Sequence, residues 1–301
     1  MRGRVVFLGT SGGVPTLTRN LPAIALRWGG SLFLFDCGEN TQKQLMRAKV
    51  GFKKSFYIFI THMHGDHLLG LPGLLMTLTL QGRRDPIYIF GPKMVKTFLE
   101  EILPLVGSPP SFPVFFREVS SGEVFRGSNF IVSALRTKHT IESYAYRFDE
   151  VGREFYFDDK KAEALGIPQG EIRERLLKGE HITINGKVIT PEMVRGSKRR
   201  LFSFTYTGDT RPFPELIDFV KNTEVLVHDS TFLSSDIEEA EESGHSTAVE
   251  AANTAKAASV SSLYLFHISA RYKDPKPLLN EARKIFSKTF LPKDLDMIEI
   301  R

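Results

Sequence analysis

The chain has one cysteine, Cys37, and one tryptophan, Trp28, among its 301 residues. A lone thiol excludes an internal disulfide and with it the stapled scaffolds of small secreted domains. No apolar run reaches the roughly 18 residues that a membrane helix needs, so no membrane partner is expected, and the stretch 68–80 suits a core helix instead. The first residues carry two arginines and then enter an apolar strand, without a leader-like core or cleavage site, so a cytoplasmic protein is expected. Neither sign of charge dominates: 40 Lys and Arg face 35 Asp and Glu, and the net +5 is compatible with a polyanionic partner without requiring one. Core material is ample, with 42% hydrophobic and 11% aromatic residues, enough for one large globular domain.

Histidine is unevenly spread. The segment Thr61-His62-Met63-His64-Gly65-Asp66-His67 crowds four ligand-type side chains into six positions. Imidazole nitrogen and carboxylate oxygen bind zinc at about 2.0–2.2 Å, and this density exceeds the need of one catalytic ion, so two ions are the natural reading. Residues 55–60 form a β-branched and aromatic run that predicts a strand, and the helix at 68–80 is broken near its start by Gly70 and Pro72. The ligands therefore sit between strand and helix. His62 and His64 point to one side, because extended side chains alternate, while Asp66 and His67 follow the Gly65 turn and face a second position.

Apolar runs at 5–8, 23–28 and 32–35 predict an antiparallel meander. Further strands are expected at 86–92, 112–119, 123–126, 129–135, 143–148, 201–206, 225–228 and 262–266. Helices are expected at 41–49, 93–103, 214–221, 246–258 and 277–286, giving an α/β chain. Polar clusters follow the strands, where layered α/β folds collect ligands. His139, Asp209 and His267 take such positions and bring the candidate ligands to seven, enough for two ions sharing one carboxylate. Cys37 reads as a packed strand residue, His228 as a packed strand-end residue and His181 as exposed.

Residues 150–200 break this pattern. They are polar and basic, with Lys160, Lys161, Arg173, Arg175, Lys178, Lys187, Arg195, Lys198, Arg199 and Arg200, and their apolar residues are too sparse and irregular to predict a core. Two readings stand: a solvated surface insertion, or a protruding arm that binds phosphates.

Taken together, these residues resemble the ribonuclease Z family, the tRNA 3′-end processing nucleases of the metallo-β-lactamase superfamily, over essentially the whole chain. The resemblance rests on the opening loop 8–15, the segment 35–42 with Asn40 where the family has Gly, and the metal motif from His62 through its Gly-Leu-Pro-Gly tail. It extends to Gly208-Asp209-Thr210-Arg211-Pro212, to Gly244-His245-Ser246-Thr247 and to the arm-like stretch 162–170. It implies a four-layer αββα metallo-β-lactamase sandwich over 1–301, a single domain with a basic arm (exosite) inserted at 150–200. It further implies that His62, His64 and His139 hold one Zn2+, that Asp66, His67 and His267 hold another, and that Asp209 bridges them. The implied partner is precursor tRNA, gripped at its elbow by the arm, for which Lys160, Lys161, Arg173, Arg175, Lys178, Lys198, Arg199 and Arg200 are the candidate RNA-binding residues. The implied assembly is a homodimer in which one subunit's arm serves the other's site. Pro168-Gln169-Gly170-Glu171 departs from the usual Pro-Pro-Gly-Pro of the arm. Leu17 replaces the Lys of the loop that discriminates against CCA ends, and Asp229 stands where many relatives have Glu.

Phosphodiester hydrolysis needs a strong nucleophile and charge neutralisation. Two zinc ions about 3.5–4 Å apart supply both, lowering the pKa of bound water from 15.7 to about 7 so that hydroxide is available to attack. Asp66 is the candidate base as well as a ligand. His245 lies outside the ligand set and opens a helix whose first amides suit a phosphate; it is assigned transition-state stabilisation or leaving-group protonation, with Asp229 holding it charged. The expected activity is removal of the 3′ trailer from precursor tRNA, leaving a 3′-hydroxyl on tRNA and a 5′-phosphate on the trailer. A small-molecule hydrolase acting on thioesters or cyclic nucleotides is the alternative, although the basic insertion has no purpose there. A silent RNA-binding module and a di-iron redox protein are readings from other classes.

Overall fold

Alternation along the strands sorts side chains into layers. The computed structural model describes residues 3–52, 55–107, 109–152, 155–198 and 201–300. One seven-stranded sheet runs in the order Met297–Ile300, Gly3–Gly9, Ala23–Trp28, Ser31–Phe35, Phe56–Phe59, Ile87–Gly91, Val114–Glu118. On its outer face Leu32, Leu34, Phe56, Ile58, Ile87 and Ile89 pack against leucines and valines of helices Thr41–Arg47, Gly70–Leu80 and Lys93–Leu105. The intervening positions are aromatic and point the other way.

There they meet a second seven-stranded sheet, ordered Thr289–Phe290, Leu263–Phe266, Val225–Asp229, Ser203–Tyr206, Tyr144–Glu150, Phe130–Arg136, Gly122–Arg126. Phe33 packs edge-on against Phe148 at 5.1 Å, Phe35 meets Phe204 at 5.1 Å, and Phe59 meets Tyr146 at 5.3 Å. Such pairs are worth about 0.5–1.5 kcal/mol each beyond the area they bury. The second sheet's far face, with Ala145, Leu226, Leu263 and Leu265, is covered by helices Ala248–Ala257 and Lys276–Ile285. The result is the four-layer αββα sandwich that the resemblance implied. The edge strand Met297–Ile300 and the helix Ile237–Ser243 have no counterpart in the sequence reading.

The chain divides into two compact units, one of them Ser128–Phe130 with Glu150–Phe202, the other the remainder. The smaller unit corrects one expectation. Its helices Asp159–Ala164 and Glu171–Leu177 and its two short strand pairs converge on a core of Ala162, Ile167, Leu176, Ile182, Ile189 and Val194. Each element contributes only one or two apolar residues, so no periodicity develops along the chain although a core forms in space. Among the described residues, no helix is long and apolar enough to cross a membrane.

Candidate active site

Parallel pairing brings strand ends together. Ser31–Phe35 pairs in parallel with Phe56–Phe59, and Ser203–Tyr206, Val225–Asp229 and Leu263–Phe266 pair likewise. Asp36, His62, Asp209, Asp229 and His267 consequently leave or follow their strands at matching ends. Asp66 and His67 ride in the short helix Gly65–Leu68. Two close approaches require glycine. An ideal Cβ on Gly12 would lie 2.5 Å from the His267 ring, and one on Gly70, in the Gly-Leu-Pro-Gly tail, would lie 1.9 Å from the Gly38 carbonyl oxygen.

Asp209 Oδ2 is the common point of the site. It lies 3.5 Å from His62 Nε2, 3.2 Å from His67 Nε2, 4.0 Å from His139 Nε2 and 3.4 Å from His267 Nε2. His64 Nδ1 is 3.0 Å from His62 Nε2 and 3.2 Å from His139 Nε2. Asp66 Oδ2 stands 3.3 Å from both His67 Nε2 and His267 Nε2. Two sets result: His62, His64, His139 and Asp209, and Asp66, His67 and His267, each with its ligand atoms within 4.8 Å of one another. Ligands held at about 2.0–2.2 Å by a tetrahedral ion lie roughly 3.2–3.6 Å apart, so the spacing suits metal, and most closely around Asp66, His67, His267 and Asp209.

The protons support the same conclusion. Thr61 Oγ1 donates to Asp36 Oδ2 at 2.9 Å, so His62 Nδ1, 2.8 Å away, donates to that hydroxyl. His67 Nδ1 donates to Asp36 Oδ2 at 2.6 Å, and His139 Nδ1 to the Gly244 carbonyl at 2.9 Å. Thr231 Oγ1 donates to Asp229 Oδ1 at 2.7 Å, so His267 Nδ1, at 2.9 Å, donates to Thr231. Four imidazoles thus spend their Nδ1 protons outward and aim bare Nε2 lone pairs inward, the arrangement typical of metal ligands. Asp209 Oδ1 is buried with no hydrogen-bond partner. Lone pairs and carboxylates converging without protons call for a cation.

A family model described as the beta-lactamase superfamily domain matches residues 32–268. The chain is 41% identical over 298 residues to Ribonuclease Z of Methanosarcina mazei, covering 99% of this chain and 98% of that one. It is 42% identical over 300 residues to Ribonuclease Z of Archaeoglobus fulgidus, covering 99% and 97%. The chain belongs to the ribonuclease Z family. It matches the crystal structure of the short form of human tRNase Z with a TM-score of 0.70 and 26% identity over 99% of both chains. Membership of the ribonuclease Z family makes it a hydrolase of the endoribonuclease type.

Charge in this ribonuclease Z site is uneven. Burial lowers the pKa of His62, His64 and His139, keeping them neutral and ready to bind metal. At His67 burial has the same tendency, but Asp209, Asp36 and Asp66 outweigh it and raise the pKa well above its ordinary value, so these carboxylates favour a positive charge at Nε2, which a proton supplies when no metal is bound and a metal ion would supply in its place. Asp66 and Asp209 resist the upward push of burial because the histidines around them hold their carboxyls down, so both stay ionised.

His245 also lies within ligand range of Asp209 and His267, but its Nδ1 is committed to Asp229 Oδ2 at 2.9 Å. Burial would lower its pKa, yet Asp229 and Asp209 raise it to about 9. Its ring stacks on His267 at 4.9 Å. The expectation that the following helix offers its first amides to a phosphate is narrowed, because three amides at its start are already engaged. Thr247 N and Glu250 N are taken by a capping box between Thr247 and Glu250, and Ala248 N donates to the Phe232 carbonyl.

Cys37 is buried just past its strand rather than within it, its thiol pKa raised by burial, and it joins neither ligand set. His228 is buried at its strand end and His181 is exposed. In the smaller unit Lys160, Lys178 and Lys198 are exposed, Lys161 Nζ donates to the Arg195 carbonyl at 2.7 Å, and Arg175 pairs with Glu180 at 2.8 Å. Arg173 is a correction: its side chain is only 10% exposed, with Nη1 on Asp159 at 2.6 Å and Nη2 on the Ile167 carbonyl at 3.0 Å, so it holds the unit together instead of facing RNA. Arg199 and Arg200 lie outside the described residues.

The sequence reading missed Asp36, Thr61 and Thr231 as supports of the ligands. Asp36, fully buried, accepts from Thr61 N and from the Thr61 and Tyr206 hydroxyls as well as from His67. Its place just after a strand was the available signal, the same one that marked Asp209 and His267.

Proposed function

We propose that the chain removes 3′ trailers from precursor tRNA, using two zinc ions and working as a homodimer in the cytoplasm. The observation that carries this is the double ligand set centred on Asp209 Oδ2 with a charged His245 beside it, in a chain whose relatives are named Ribonuclease Z and tRNase Z. His62, His64, His139 and Asp209 would hold one ion, and Asp66, His67, His267 and Asp209 the other. When bound, the ions would activate a water and neutralise charge on the phosphate.

The chain's own groups do the rest. Asp66 side chain is 12% exposed and ionised, aimed by an amide donated from Gly13 N at 2.9 Å, and is free to accept the proton of the attacking water. His245 is 13% exposed, and with Nδ1 on Asp229 its Nε2–H is available to the leaving oxygen. Attack at phosphorus breaks the bond to the tRNA 3′ oxygen, which leaves with the proton from His245, while the phosphate stays on the trailer. The exposed Lys160, Lys178 and Lys198 of the smaller unit are the arm's candidate phosphate contacts. The homodimer draws support from exposed Met46, Leu69, Leu80 and Met94, which lie on or beside three helices of a single layer.

The test is incubation of the purified protein with an unmodified precursor tRNA carrying a 3′ trailer, with and without chelator, followed by mapping of the cut. Chelator-sensitive cleavage after the discriminator base is expected. Cleavage elsewhere, or none, overturns the proposal.

A further inference from the structure

Three consecutive residues tie the candidate metal ligands to His245. Asp209 is the common point of both ligand sets; Thr210 N donates to Asp229 Oδ2 at 3.0 Å, and the Thr210 carbonyl accepts from Ser246 Oγ at 2.5 Å. Arg211 then reaches His245 itself. Its Nη1 donates to the His245 carbonyl at 2.7 Å and to Glu250 Oε2 at 2.8 Å, and its Nη2 donates to Glu250 Oε1 at 2.6 Å. Its backbone is anchored as well, since Arg211 N donates at 2.7 Å to the carbonyl of Lys138, the neighbour of His139. Glu250 is fixed in turn by Thr247, whose N and Oγ1 both donate to Oε2, at 2.9 and 3.0 Å. All of these residues belong to the larger unit. The Arg211 side chain is 19% exposed and that of Glu250 20%, so the fork between them is not a solvated surface pair. Two parallel charge-assisted bonds also fix the plane of the guanidinium, which a single contact would not.

We propose that Arg211 is a positioning residue for His245: with Glu250 holding the guanidinium in plane, Nη1 pins the His245 carbonyl and so sets where the ring stands relative to Asp209. This rests on the reading of His245 as proton donor to the leaving oxygen. The need for such a hold lies in the local chain. His245 follows Gly244, at φ 73°, in the short link between helices Ile237–Ser243 and Ala248–Ala257. Its N–H is held by the Ala240 carbonyl at 2.8 Å and its ring by Asp229 through Nδ1 alone, about which the imidazole can pivot. Fixing the carbonyl removes the pivot. A general acid must come within hydrogen-bond reach of the leaving atom, and a misplacement of about 1 Å can cost about a hundredfold in rate. Arg211 itself is turned inward: beyond these bonds, Nη2 lies 3.6 Å from Glu241 Oε1, so its charge is spent within the protein and acts through His245. Lysine would not substitute, because an ammonium is a point charge without the two-pronged geometry.

The test compares wild type, Arg211→Lys and His245→Ala on two precursor tRNAs, one with the natural oxygen at the scissile 3′ position and one with sulfur there. A thiolate leaves without a proton, so only the oxygen substrate needs the donor. Arg211→Lys is expected to lower kcat on the oxygen substrate by roughly tenfold to a hundredfold, with KM within about twofold, and kcat on the sulfur substrate by less than about threefold. His245→Ala is expected to show the same asymmetry, and adding Arg211→Lys to it should cost nothing further on the oxygen substrate. Imidazole NMR follows the Nδ1 proton that His245 donates to Asp229, expected as a sharp signal in wild type and broadened by exchange with water in Arg211→Lys. Glu250→Gln keeps an acceptor for Thr247 but loses the charge facing the guanidinium; it is expected to reproduce Arg211→Lys in milder form, and replaces it in every comparison should Arg211→Lys not fold. An equal loss on both substrates, no loss on either, or a double variant slower than His245→Ala overturns the inference. If wild type leaves precursor tRNA uncut, the proposed function fails separately; the NMR signal then decides, and one that stays sharp in Arg211→Lys overturns this inference.

Discussion

Asp229 Oδ2 stands 2.9 Å from His245 Nδ1, while Oδ1 of the same carboxylate holds the Thr231 hydroxyl that meets His267. One buried side chain therefore fixes both a candidate proton donor and a candidate metal ligand. With burial opposed by Asp229 and Asp209, His245 has its pKa raised from 6.5 to about 9. The protonated form is the donor, so activity should fall as pH rises through about 9. Asp229→Asn removes the leading favourable charge, and the alkaline limb of the pH–rate profile is expected to move down by more than one unit. A limb that stays in place would remove His245 from the proton-donor role. The stability effect has the same sign: a raised histidine pKa stabilises the fold fully below 6.5, and that contribution is lost as pH climbs from there through about 9.

Asp209 Oδ2 lies within 3.5 Å of a nitrogen from each candidate ligand set, His62 in one and His67 and His267 in the other, so losing it and losing a single histidine should have unequal effects. His267→Ala removes a ligand from one set only, whereas Asp209→Ala removes the one oxygen that lies within 4.0 Å of His62, His67, His139 and His267. Metal content per chain, measured by elemental analysis after dialysis, should drop partway in the first variant and nearly to zero in the second. Chelator should lower the Tm of wild type, because an ion that binds only the folded chain stabilises it by mass action, and should leave the Asp209→Ala Tm almost unmoved. Equal metal content in the two variants would contradict a bridging Asp209.

Much of this was legible in the sequence where neighbours in space are also neighbours in the chain. His62 to His67 announce metal within six positions, and the apolar run 55–60 announces the strand that precedes them. Asp36's position after a strand was legible, but which ligand each support serves was not, because those contacts are made across long separations. Asp36 reaches His67 across 31 residues and Tyr206 across 170, and Thr231 reaches His267 across 36. Backbone strain is invisible for the same reason. Asp36 at φ 56° and His267 at φ 60° adopt left-handed conformations, at a cost of about 1–3 kcal/mol each, that only the assembled site compensates. The smaller unit's core escaped notice because its six buried residues come from short elements without a repeat.

Basic residues of the smaller unit should separate into two behaviours. Arg173→Ala removes charged hydrogen bonds to Asp159 and to the Ile167 carbonyl, and should destabilise that unit by about 1–3 kcal/mol, read as faster amide exchange across Glu171–Leu177. Lys160→Ala with Lys178→Ala alters exposed positions, where stability effects stay within about 0.5 kcal/mol. The lysine pair should instead weaken binding of precursor tRNA and reduce its salt dependence. If Arg173→Ala weakened tRNA binding with no change in exchange, its assignment as an internal brace would be wrong.

The interface between the sheets should prove coupled to the metal site through residues 35 and 36. Phe35 is fully buried against Phe59, Phe204 and Tyr206, and the next residue, Asp36, accepts the Tyr206 hydroxyl at 2.8 Å. Phe35→Ala opens a cavity in the aromatic layer and should cost about 3–5 kcal/mol in denaturant unfolding. Tyr206→Phe keeps the ring and its packing but deletes one donor to a buried carboxylate, at a cost of about 1.5–3 kcal/mol. Asp36 retains Thr61 and His67 as donors, so the Tyr206→Phe site should still assemble, with metal affinity lowered by about tenfold or less because a support of a ligand is weakened and the ligand itself is kept. Metal affinity that falls with Phe35→Ala but is untouched by Tyr206→Phe would mean that the hydroxyl serves the sheet interface alone, and that Asp36 is positioned by its own strand.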